Sequence, residues 1–429
     1  MNDQRITAEY VVETPLPLAE AAEALAGEQS TGTFTRVPGE TDELRARFSA
    51  RLESVESLGT VAAPSLPGAA ASVHPGGAFV QGRVRISFPA ENTGANLPTL
   101  VATVAGNLFE LRQFSGLRLM DLDVPPSLAA EFPRPQFGVA GTRRLAGVFD
   151  RPLIGTIIKP SVGLSPVETA DLVRTLALAG IDFVKDDELM ANPPHSPLAS
   201  RVHAVMRAVH DAADVTGRQA MVAFNISDSI DRMRANHDLV ASAGGTCVMV
   251  SLNSVGLAGV ESLRRTCTLP IHGHRNGWGM LTRCPALGME FIAYQKLWRL
   301  AGVDQIHVNG LQNKFYESDD SVIRSIQACL RPMWGDDAVM PVVSSGQWGG
   351  QAPSTYQATQ TLDLMYLAGG GILAHPGGPA AGVAAIRQAW EAAAEGIELA
   401  VYAKSRPELR GSLEFFGKLP RSTPSILGE

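Results

Sequence analysis

A short acidic segment, IDFVKDDE, carries the residues best suited to bind a metal ion. It ends a predicted strand, whose alternation places Lys185 and Asp187 on one face, while Glu188 can turn inward after the strand ends. Carboxylates are the hard oxygen ligands that Mg²⁺ prefers. Lys185 becomes a third oxygen ligand if CO₂ converts its amine into a carbamate; otherwise Lys185 and Asp187 form an ion pair without metal. The spacing leaves both interpretations open.

A second group of side chains is suited to bind a phosphate. Arg275, His307 and Ser345 come from three consecutive predicted strands and offer a guanidinium, an imidazole and a hydroxyl. The run Gly369–Gly371 follows the next strand and exposes backbone N–H groups to an anion. Each feature alone fits a loop charge, a core histidine or a tight turn. Their order along the chain predicts a phosphate site.

The apolar pattern predicts how these residues are brought together. From about residue 150, short apolar runs alternate with helical segments such as 166–180, 290–302 and 384–397. Eight such units over about 240 residues are typical of a (β/α)₈ TIM barrel, whose strands all end at the catalytic face. The predicted strands are 153–160, 183–188, 220–225, 247–252, 269–275, 305–310, 340–346 and 364–373.

Residues 1–149 have a different pattern and predict a separate α+β domain. The strand-like segments are 6–14, 46–55, 79–88 and 117–124, and the helix-like segments are 18–27 and 97–115. We expect a small ferredoxin-like sheet covered on one face by helices. The predicted organisation is α/β: an N-terminal α+β domain at 1–149, followed by a TIM-barrel catalytic domain at 150–429 with a C-terminal helical extension.

The composition limits the partners. The 429-residue chain has a net charge of −7, which argues against binding nucleic acid or an anionic membrane. Its four cysteines show no zinc or C-x-x-C spacing, and its first residues show no signal-peptide pattern. No uncharged apolar run reaches the ~18 residues of a membrane span. We expect a cytoplasmic protein that holds a small phosphorylated substrate by local contacts.

Segments along nearly the whole chain resemble the RuBisCO large-chain superfamily. GTIIKPSVGLS, IDFVKDDE, IHGHR, HVNGLQNKF, VVSSG and LAGGG occur in the family's order. The resemblance implies a set of catalytic and metal-binding residues: the proton-transfer lysine Lys159, the carbamylated Lys185 with the Mg²⁺ ligands Asp187 and Glu188, the catalytic histidine His274 and the mobile-loop lysine Lys314.

The resemblance also implies which residues contact the substrate. In the barrel they are Arg275, His307, Ser345, Gly346, Gln347, Gly369 and Gly370. In the first domain, GEQSTGTF and AGNLFEL supply Glu28, Thr33 and Asn107, which in the family complete the active site of the neighbouring subunit. A homodimer with shared active sites is therefore implied, without a small subunit. Capping and turn roles are the alternative for these three residues.

Several positions depart from the true carboxylases of the family. Ser161 replaces a second lysine that follows Lys159 by two places. Phe34, Trp278 and Gln347 replace a tryptophan, a histidine and a glycine. Loss of the positive charge of the second lysine and the larger side chains of Trp278 and Gln347 disfavour binding of a bisphosphate. The chain therefore resembles the non-carboxylating RuBisCO-like group, and carboxylation of ribulose bisphosphate is not expected.

Lys314 favours one kind of reaction among those of that group. In carboxylases the corresponding lysine holds a carboxylate, so its presence here favours a substrate that already carries one. We predict decarboxylation of a 3-oxo acid sugar phosphate, as in the branch acting on 3-oxo-isoapionate 4-phosphate, through an enediolate stabilised by Mg²⁺. The alternatives are a transcarboxylase/hydrolase of the same substrate, or an isomerase or enolase of a methylthioribulose-type phosphate in methionine salvage. A non-enzymatic member of the family with a binding or regulatory role would be expected to lack a metal ligand or a proton-transfer lysine. None of these residues is missing.

Overall fold

The chain divides into two compact units. The computed structural model describes residues 4–32 and 37–418. One unit comprises the described residues up to Arg134 together with Gly277–Ala301, and the other comprises Pro135–Asn276 with the described residues from Gly302 onward. Residues 135–149 thus pack with the second unit, and residues 277–301 with the first. In the described part of the chain, no helix is long and apolar enough to cross a membrane.

The strands alternate with helices along most of the chain. In chain order they are β1 Arg5–Thr14, β2 Arg51–Val61, β3 Phe79–Pro89, β4 Gly116–Asp123, β5 Leu153–Ile157, β6 Phe183–Lys185, β7 Met221–Asn225, β8 Cys247–Ser251, β9 Ile271–His274, β10 Leu287–Met289, β11 Gln305–His307, β12 Met340–Val343 and β13 Met365–Leu367.

The first unit is a mixed sheet with a ferredoxin-like centre. Its order is β10-β4-β1-β3-β2, and the central pairs are antiparallel. The later strand β10 joins β4 in parallel, which extends the expected sheet by one strand. The α-helices of this unit are Leu18–Glu28, Asp42–Phe48, Leu97–Ala105, Pro126–Ala129, Trp278–Thr282 and Phe291–Ala301.

One predicted strand of this unit begins too early. Residues 46–48 belong to the helix Asp42–Phe48, and β2 starts only at Arg51. Thr41 caps the helix by accepting a hydrogen bond from the Leu44 N–H at 3.2 Å, and two acidic residues occupy the first turn. These N-terminal signals favour a helix over the strand that the apolar pattern predicted.

The second unit is the predicted TIM barrel. Eight parallel strands close in the order β5-β6-β7-β8-β9-β11-β12-β13. Apolar side chains fill the interior, among them Leu153, Phe183, Met221, Met249, Val342 and Met365. The helices of this unit are Gly138–Ala146, Pro166–Leu178, Leu198–Thr216, Ile230–Ser242, Leu252–Val255, Leu257–Arg264, Asp319–Leu330, Ala352–Thr359, Gly369–Leu373, Gly378–Glu395, Leu399–Tyr402 and Pro407–Phe416.

Hydrogen bonds to the Asp304 side chain connect the start of the barrel to its middle strands. Its Oδ1 accepts the backbone N–H groups of residues 136–138, where the first helix of this unit begins. Its Oδ2 accepts from Arg264 Nη1 at 2.9 Å and from the Ile271 N–H at 2.9 Å. The side chains of Asp304 and Arg264 are both fully buried.

Replacing Asp304 by alanine is therefore expected to destabilise the protein severely. The change leaves the buried Arg264 guanidinium without its anionic partner and several backbone N–H groups without an acceptor, which lowers the free energy of unfolding by about 3–5 kcal/mol. Urea denaturation followed by circular dichroism measures this loss. The control variant Asp171→Ala removes an exposed carboxylate and should change the free energy of unfolding by less than about 0.5 kcal/mol. Equal stability of both variants would contradict the assigned role.

Candidate active site

Five of the residues selected from the sequence lie at the carboxyl ends of barrel strands. Lys185 is the last residue of β6, His274 of β9 and His307 of β11. Lys159 and Ser345 lie two residues beyond the ends of β5 and β12. Because all strands of a parallel barrel end on the same side, the fold brings these residues to one mouth.

Two lysines neutralise the acidic residues 186–188 that follow β6; these residues and Lys185 form the tip of β6. The Lys159 Nζ lies 2.6 Å from Asp187 Oδ2 and 2.7 Å from the Ser161 hydroxyl oxygen. The Lys185 Nζ is buried and lies 3.9 Å from Glu188 Oε2. Asp187 therefore pairs with Lys159, and the Lys185–Asp187 ion pair considered from the sequence is not the arrangement that forms.

A buried arginine and an asparagine fix the backbone of this tip. Arg201 is fully buried and donates to Asp186 Oδ2 at 3.2 Å and to carbonyls of the following loop. Asn225, the last residue of β7, donates its amide to the carbonyl oxygens of Asp187 and Glu188. Sequence reasoning missed these supports. Asn225 could have been selected because it is a polar residue at the end of a predicted strand. Arg201 lies in the next helix, where no local sequence feature indicates a role in the site.

Burial changes the acidity of the groups in this tip. Complete burial lowers the pKa of Lys185 to about 8, although Glu188 and Asp187 oppose the shift. Burial raises the pKa of Asp187, but the hydrogen bonds from Lys159 and the Leu189 N–H and the charges of the two lysines together outweigh it, so the pKa lies below the ordinary value. Near pH 8, Lys185 is therefore partly a neutral amine, which is the form that reacts with CO₂, while Asp187 is ionised.

These side chains fit a Mg²⁺ site only if Lys185 is modified. In residues 4–32 and 37–418, no three His, Cys, Asp or Glu side chains are placed together to hold a metal ion. The tip of β6 offers the carboxylates of Asp187 and Glu188, with the amine of Lys185 buried beside them. A carbamate on that amine would add an oxygen ligand and remove a positive charge. The donor set then matches the hard-oxygen preference of Mg²⁺.

Three neutral imidazoles form a cluster on β9 and β11, and His274 of this cluster lies 3.5 Å from Glu188. The Nε2 atoms of His272 and His307 lie 2.9 Å apart, and the ring centroids of His274 and His307 lie 4.4 Å apart. Burial lowers the pKa of His272 to about 3 and holds the pKa values of His274 and His307 well below their ordinary value. All three rings are therefore uncharged at neutral pH.

The hydrogen bonds of two of these rings define their tautomers. His272 Nδ1 lies 2.9 Å from the acceptor Gln305 Oε1, so its proton is on Nδ1 and its Nε2 accepts. His307 Nε2 then donates to His272, and His307 Nδ1 accepts from the Ser344 hydroxyl at 3.0 Å. Both ring nitrogens of His307 are engaged, so in this arrangement it supports the wall of the site. The phosphate contact that the sequence predicts for His307 stays a prediction.

A buried acid connects the other two residues of the predicted phosphate cradle. Arg275 Nη2 lies 2.6 Å from Glu317 Oε2, and both side chains are 5% exposed. Asn309 donates to the same oxygen at 2.6 Å and accepts from the Ser345 hydroxyl at 2.8 Å. Asn309 and Ser345 have positive φ angles of 65° and 74°. Asparagine tolerates this left-handed backbone conformation, but serine rarely adopts it, so the hydrogen bonds of this network hold a strained backbone at Ser345. Glu317 was missed because nothing in its local sequence marks it.

The loop after β11 presents Lys314 to solvent. Its backbone N–H donates to the Ser345 carbonyl at 3.3 Å, and its exposed side chain lies over the Phe315 ring with Nζ 5.3 Å from the ring centroid. Gly346 is exposed beside it and has a φ of 87°. The fold therefore brings Lys314 close to Ser345 and Gly346 while its ammonium stays accessible.

Gln347 was expected to contact the substrate, but it is only 2% exposed. Its Nε2 donates to the Leu311 carbonyl at 3.0 Å, and its Oε1 accepts from the Tyr366 hydroxyl at 3.2 Å. A Cβ atom at Gly310 would lie 2.3 Å from the Gln347 amide carbon, so the loop passes close to this side chain. Gln347 therefore supports the Lys314 loop from behind.

Trp278, which the sequence predicts to add bulk to the substrate pocket, packs against aromatic side chains of the first unit. Its ring centroid lies 4.4 Å from that of Tyr294 and 6.0 Å from that of Phe291. The side chain is 5% exposed and is therefore almost completely buried.

The glycine run after β13 starts a short helix. The sequence pattern extended a strand to residue 373, but β13 ends at Leu367 and Gly369–Leu373 is helical. A Cβ atom at Gly371 would lie 2.5 Å from the Gln347 carbonyl oxygen, so this position requires glycine. Gly370 is exposed, and the first N–H groups of a helix have no acceptor within it. This geometry is suited to an anion at Gly369 and Gly370.

The remaining candidates belong to the first unit. Glu28 is the last residue of the helix Leu18–Glu28, and Asn107 begins a 3₁₀ turn; both are exposed. Thr33 lies outside the described residues, as does Phe34.

Comparisons with known proteins assign the chain to a family. Residues 138–416 match the ribulose bisphosphate carboxylase large chain, catalytic domain, and residues 1–128 match its N-terminal domain. The chain is 54% identical to the 3-oxo-isoapionate-4-phosphate transcarboxylase/hydrolase of Xanthobacter autotrophicus, covering 96% of this chain and 99% of that protein. It is 47% identical to the 3-oxo-isoapionate-4-phosphate decarboxylase of Rhizobium etli, covering 96% and 98%.

A solved structure extends this likeness to three dimensions. The crystal structure of a rubisco-like protein from Burkholderia fungorum superposes with a TM-score of 0.90 at 51% identity, covering 96% of this chain and 100% of that one. The barrel, its N-terminal sheet domain and these matches together make the chain a RuBisCO-like enzyme of the RuBisCO large-chain family.

Proposed function

We propose that the protein is a Mg²⁺-dependent decarboxylase of a 3-oxo acid sugar phosphate, 3-oxo-isoapionate 4-phosphate. The observation that carries this proposal is the accessible Lys314 ammonium on a loop that is hydrogen-bonded to Ser345. A cation at this point of the mouth is suited to hold the carboxylate of the substrate. Relatives at 47–54% identity are named for reactions of this same compound.

The metal would be held by the tip of β6. Its proposed ligands are the carboxylates of Asp187 and Glu188 and a carbamate on Lys185. When bound, Mg²⁺ would polarise the oxo group and lower the energy of the enolate that forms from it. Asn225 and the buried Asp186–Arg201 pair keep this tip rigid, so the ligands are positioned before the substrate arrives.

The chain's own residues would manage the carboxylate, the phosphate and the proton. Lys314 orients the carboxylate, and the N–H groups of Gly369 and Gly370 bind the phosphate. The bond between the carboxylate carbon and its neighbour breaks, CO₂ leaves, and the electron pair remains on that neighbour in conjugation with the oxo group. Lys159, held 2.6 Å from Asp187, delivers the proton that completes the product. His274, neutral and 3.5 Å from Glu188, is suited to hydrogen-bond a substrate hydroxyl.

Transcarboxylation followed by hydrolysis of the same substrate is the second candidate, favoured by the relative at 54% identity. A substrate labelled with ¹³C in its carboxylate separates the two reactions. Decarboxylation releases the label as CO₂, whereas transcarboxylation retains it in an organic carboxylate and consumes water. The proposal fails if the enzyme with Mg²⁺ and bicarbonate leaves this substrate unchanged but converts methylthioribulose phosphate.

Activation by CO₂ is expected to depend on pH with a midpoint near 8. The neutral amine of Lys185 attacks CO₂, and its pKa of about 8 makes it about one-tenth neutral at pH 7 and about nine-tenths neutral at pH 9. The protein is preincubated with Mg²⁺ at constant dissolved CO₂ and varying pH, and its activity is then measured at one fixed pH. Activation that does not change between pH 6.5 and 9 would contradict this role of Lys185.

We further propose that the active site is completed by the first unit of a second subunit in a homodimer. Glu28, Thr33 and Asn107 would supply substrate contacts there. Coexpression of Asn107→Ala and Lys185→Met chains tests this proposal. Mixed dimers contain one intact site, so about a quarter of all sites regain activity although each variant alone is inactive. Activity of the mixture no higher than that of the separate variants would contradict a shared site.

A further inference from the structure

Glu317 places a negative charge against the one arginine that the predicted phosphate cradle contains. We propose that Glu317 determines the substrate class by restricting the site to sugar-acid monophosphates and excluding bisphosphates. This inference rests on the proposed function, in which Arg275 faces the substrate. It assigns an uncharged end of the substrate to Arg275.

The charges around Arg275 support this assignment. Its guanidinium is paired with Glu317 at 2.6 Å, and both side chains are 5% exposed, so solvent screens the pair poorly. The nearby ring of His307 is uncharged, because burial lowers its pKa. A phosphate dianion placed here would meet a cation whose charge is already balanced, and it would be repelled by the carboxylate. A hydroxyl or carbonyl group meets no such repulsion.

Glu317 is also held too firmly to be displaced by a ligand. Its Oε2 accepts from Asn309 at 2.6 Å, and its Oε1 accepts from the Ser321 hydroxyl at 2.9 Å. The Asn313 amide donates to its carbonyl oxygen at 3.0 Å. The next residue, Ser318, caps the helix Asp319–Leu330. The carboxylate is therefore a fixed part of the wall, and the phosphate cannot simply take its place.

Binding of two probes tests the inference without requiring turnover. Isothermal titration calorimetry of the full-length protein gives the Kd of ribulose 5-phosphate and of ribulose 1,5-bisphosphate. We expect wild-type protein to bind the bisphosphate no more than about threefold tighter than the monophosphate. In Glu317→Gln, which keeps the shape but loses the charge, the bisphosphate should bind at least about tenfold tighter than in wild type, and the monophosphate about as before.

Two further variants separate the charge from other effects. Glu317→Asp keeps the negative charge and should not gain bisphosphate affinity. Asp320→Asn removes an exposed charge nearby, at the start of the same helix, and should change neither Kd. The inference is overturned if wild-type protein binds the bisphosphate more than about tenfold tighter than the monophosphate, even if Glu317→Gln does not fold. It is also overturned if folded Glu317→Gln shows no gain.

The outcomes also separate this inference from the proposed reaction. A gain in bisphosphate affinity in Glu317→Gln without CO₂ release from the oxo acid phosphate would keep the role of Glu317 and reject the decarboxylase. CO₂ release without that gain would keep the reaction and reduce Glu317 to a structural anchor of the Lys314 loop.

Discussion

Replacing Lys185 by methionine is expected to abolish Mg²⁺-dependent turnover while leaving the fold intact. The variant cannot form a carbamate, so the metal would keep only the carboxylates of Asp187 and Glu188. Loss of one anionic ligand removes several kcal/mol of transition-state stabilisation, which corresponds to at least about a 10³-fold fall in kcat. Methionine has a similar length and no charge to bury, so the melting temperature should not fall.

Three measurements make this expectation specific. Calorimetric titration with Mg²⁺ in the presence of bicarbonate should show binding to the wild type and greatly weakened binding to Lys185→Met. Circular dichroism should show an unchanged melting temperature. The matched variant Lys404→Met, at an exposed lysine of the C-terminal extension, should retain full activity. Undiminished turnover in Lys185→Met would mean that the metal assignment is wrong.

Replacing Lys159 by methionine is expected to lower kcat by about 10²–10⁴-fold with little change in KM. This is the usual contribution of a positioned proton donor, and the Lys159 Nζ is placed for that role 2.6 Å from Asp187. The side chain is 43% exposed, so its loss should cost little stability. Removal of a cation next to Asp187 also removes a competitor for Mg²⁺. The affinity for Mg²⁺ should therefore stay the same or increase.

The Mg²⁺ affinity of the Lys159→Met variant distinguishes a role of Lys159 in proton transfer from a role in positioning the metal. If Lys159 acted mainly by orienting Asp187, its loss would weaken Mg²⁺ binding in parallel with kcat. Ser161→Ala serves as a comparison, because it removes the other hydrogen-bond partner of Lys159 but keeps the amine. We expect this change to lower kcat by no more than about tenfold. Equal losses in both variants would contradict the role proposed for the Lys159 amine.

Much of the site could be predicted from the sequence because a parallel barrel has a simple geometric rule. All strands end on the same side, so polar residues that follow apolar runs meet at one mouth. Lys159, Lys185, His274, His307 and Ser345 were found in this way, and the fold places each of them at a strand end. Local patterns also predicted a helix at 166–180, and the structure forms it at Pro166–Leu178 with a Ser165–Glu168 capping box.

Burial and pairing could not be predicted, because they depend on which distant segments meet. The spacing in the sequence allowed an ion pair between Lys185 and Asp187. In the fold, Asp187 instead pairs with Lys159, 28 residues away. Gln347 looked like a substrate contact, yet it is buried between Leu311 and Tyr366. No periodicity encodes such partners.

The sequence by itself determined the barrel, the N-terminal sheet domain and the set of groups available for chemistry, because strand and helix periods and residue types are local properties. Only the tertiary structure decided the charges of those groups. Burial shifts the pKa of Lys185 to about 8, keeps the imidazoles neutral, and sets Glu317 against Arg275. Desolvation and Coulomb interactions depend on distance in space, and distance in space is fixed only when the chain has folded.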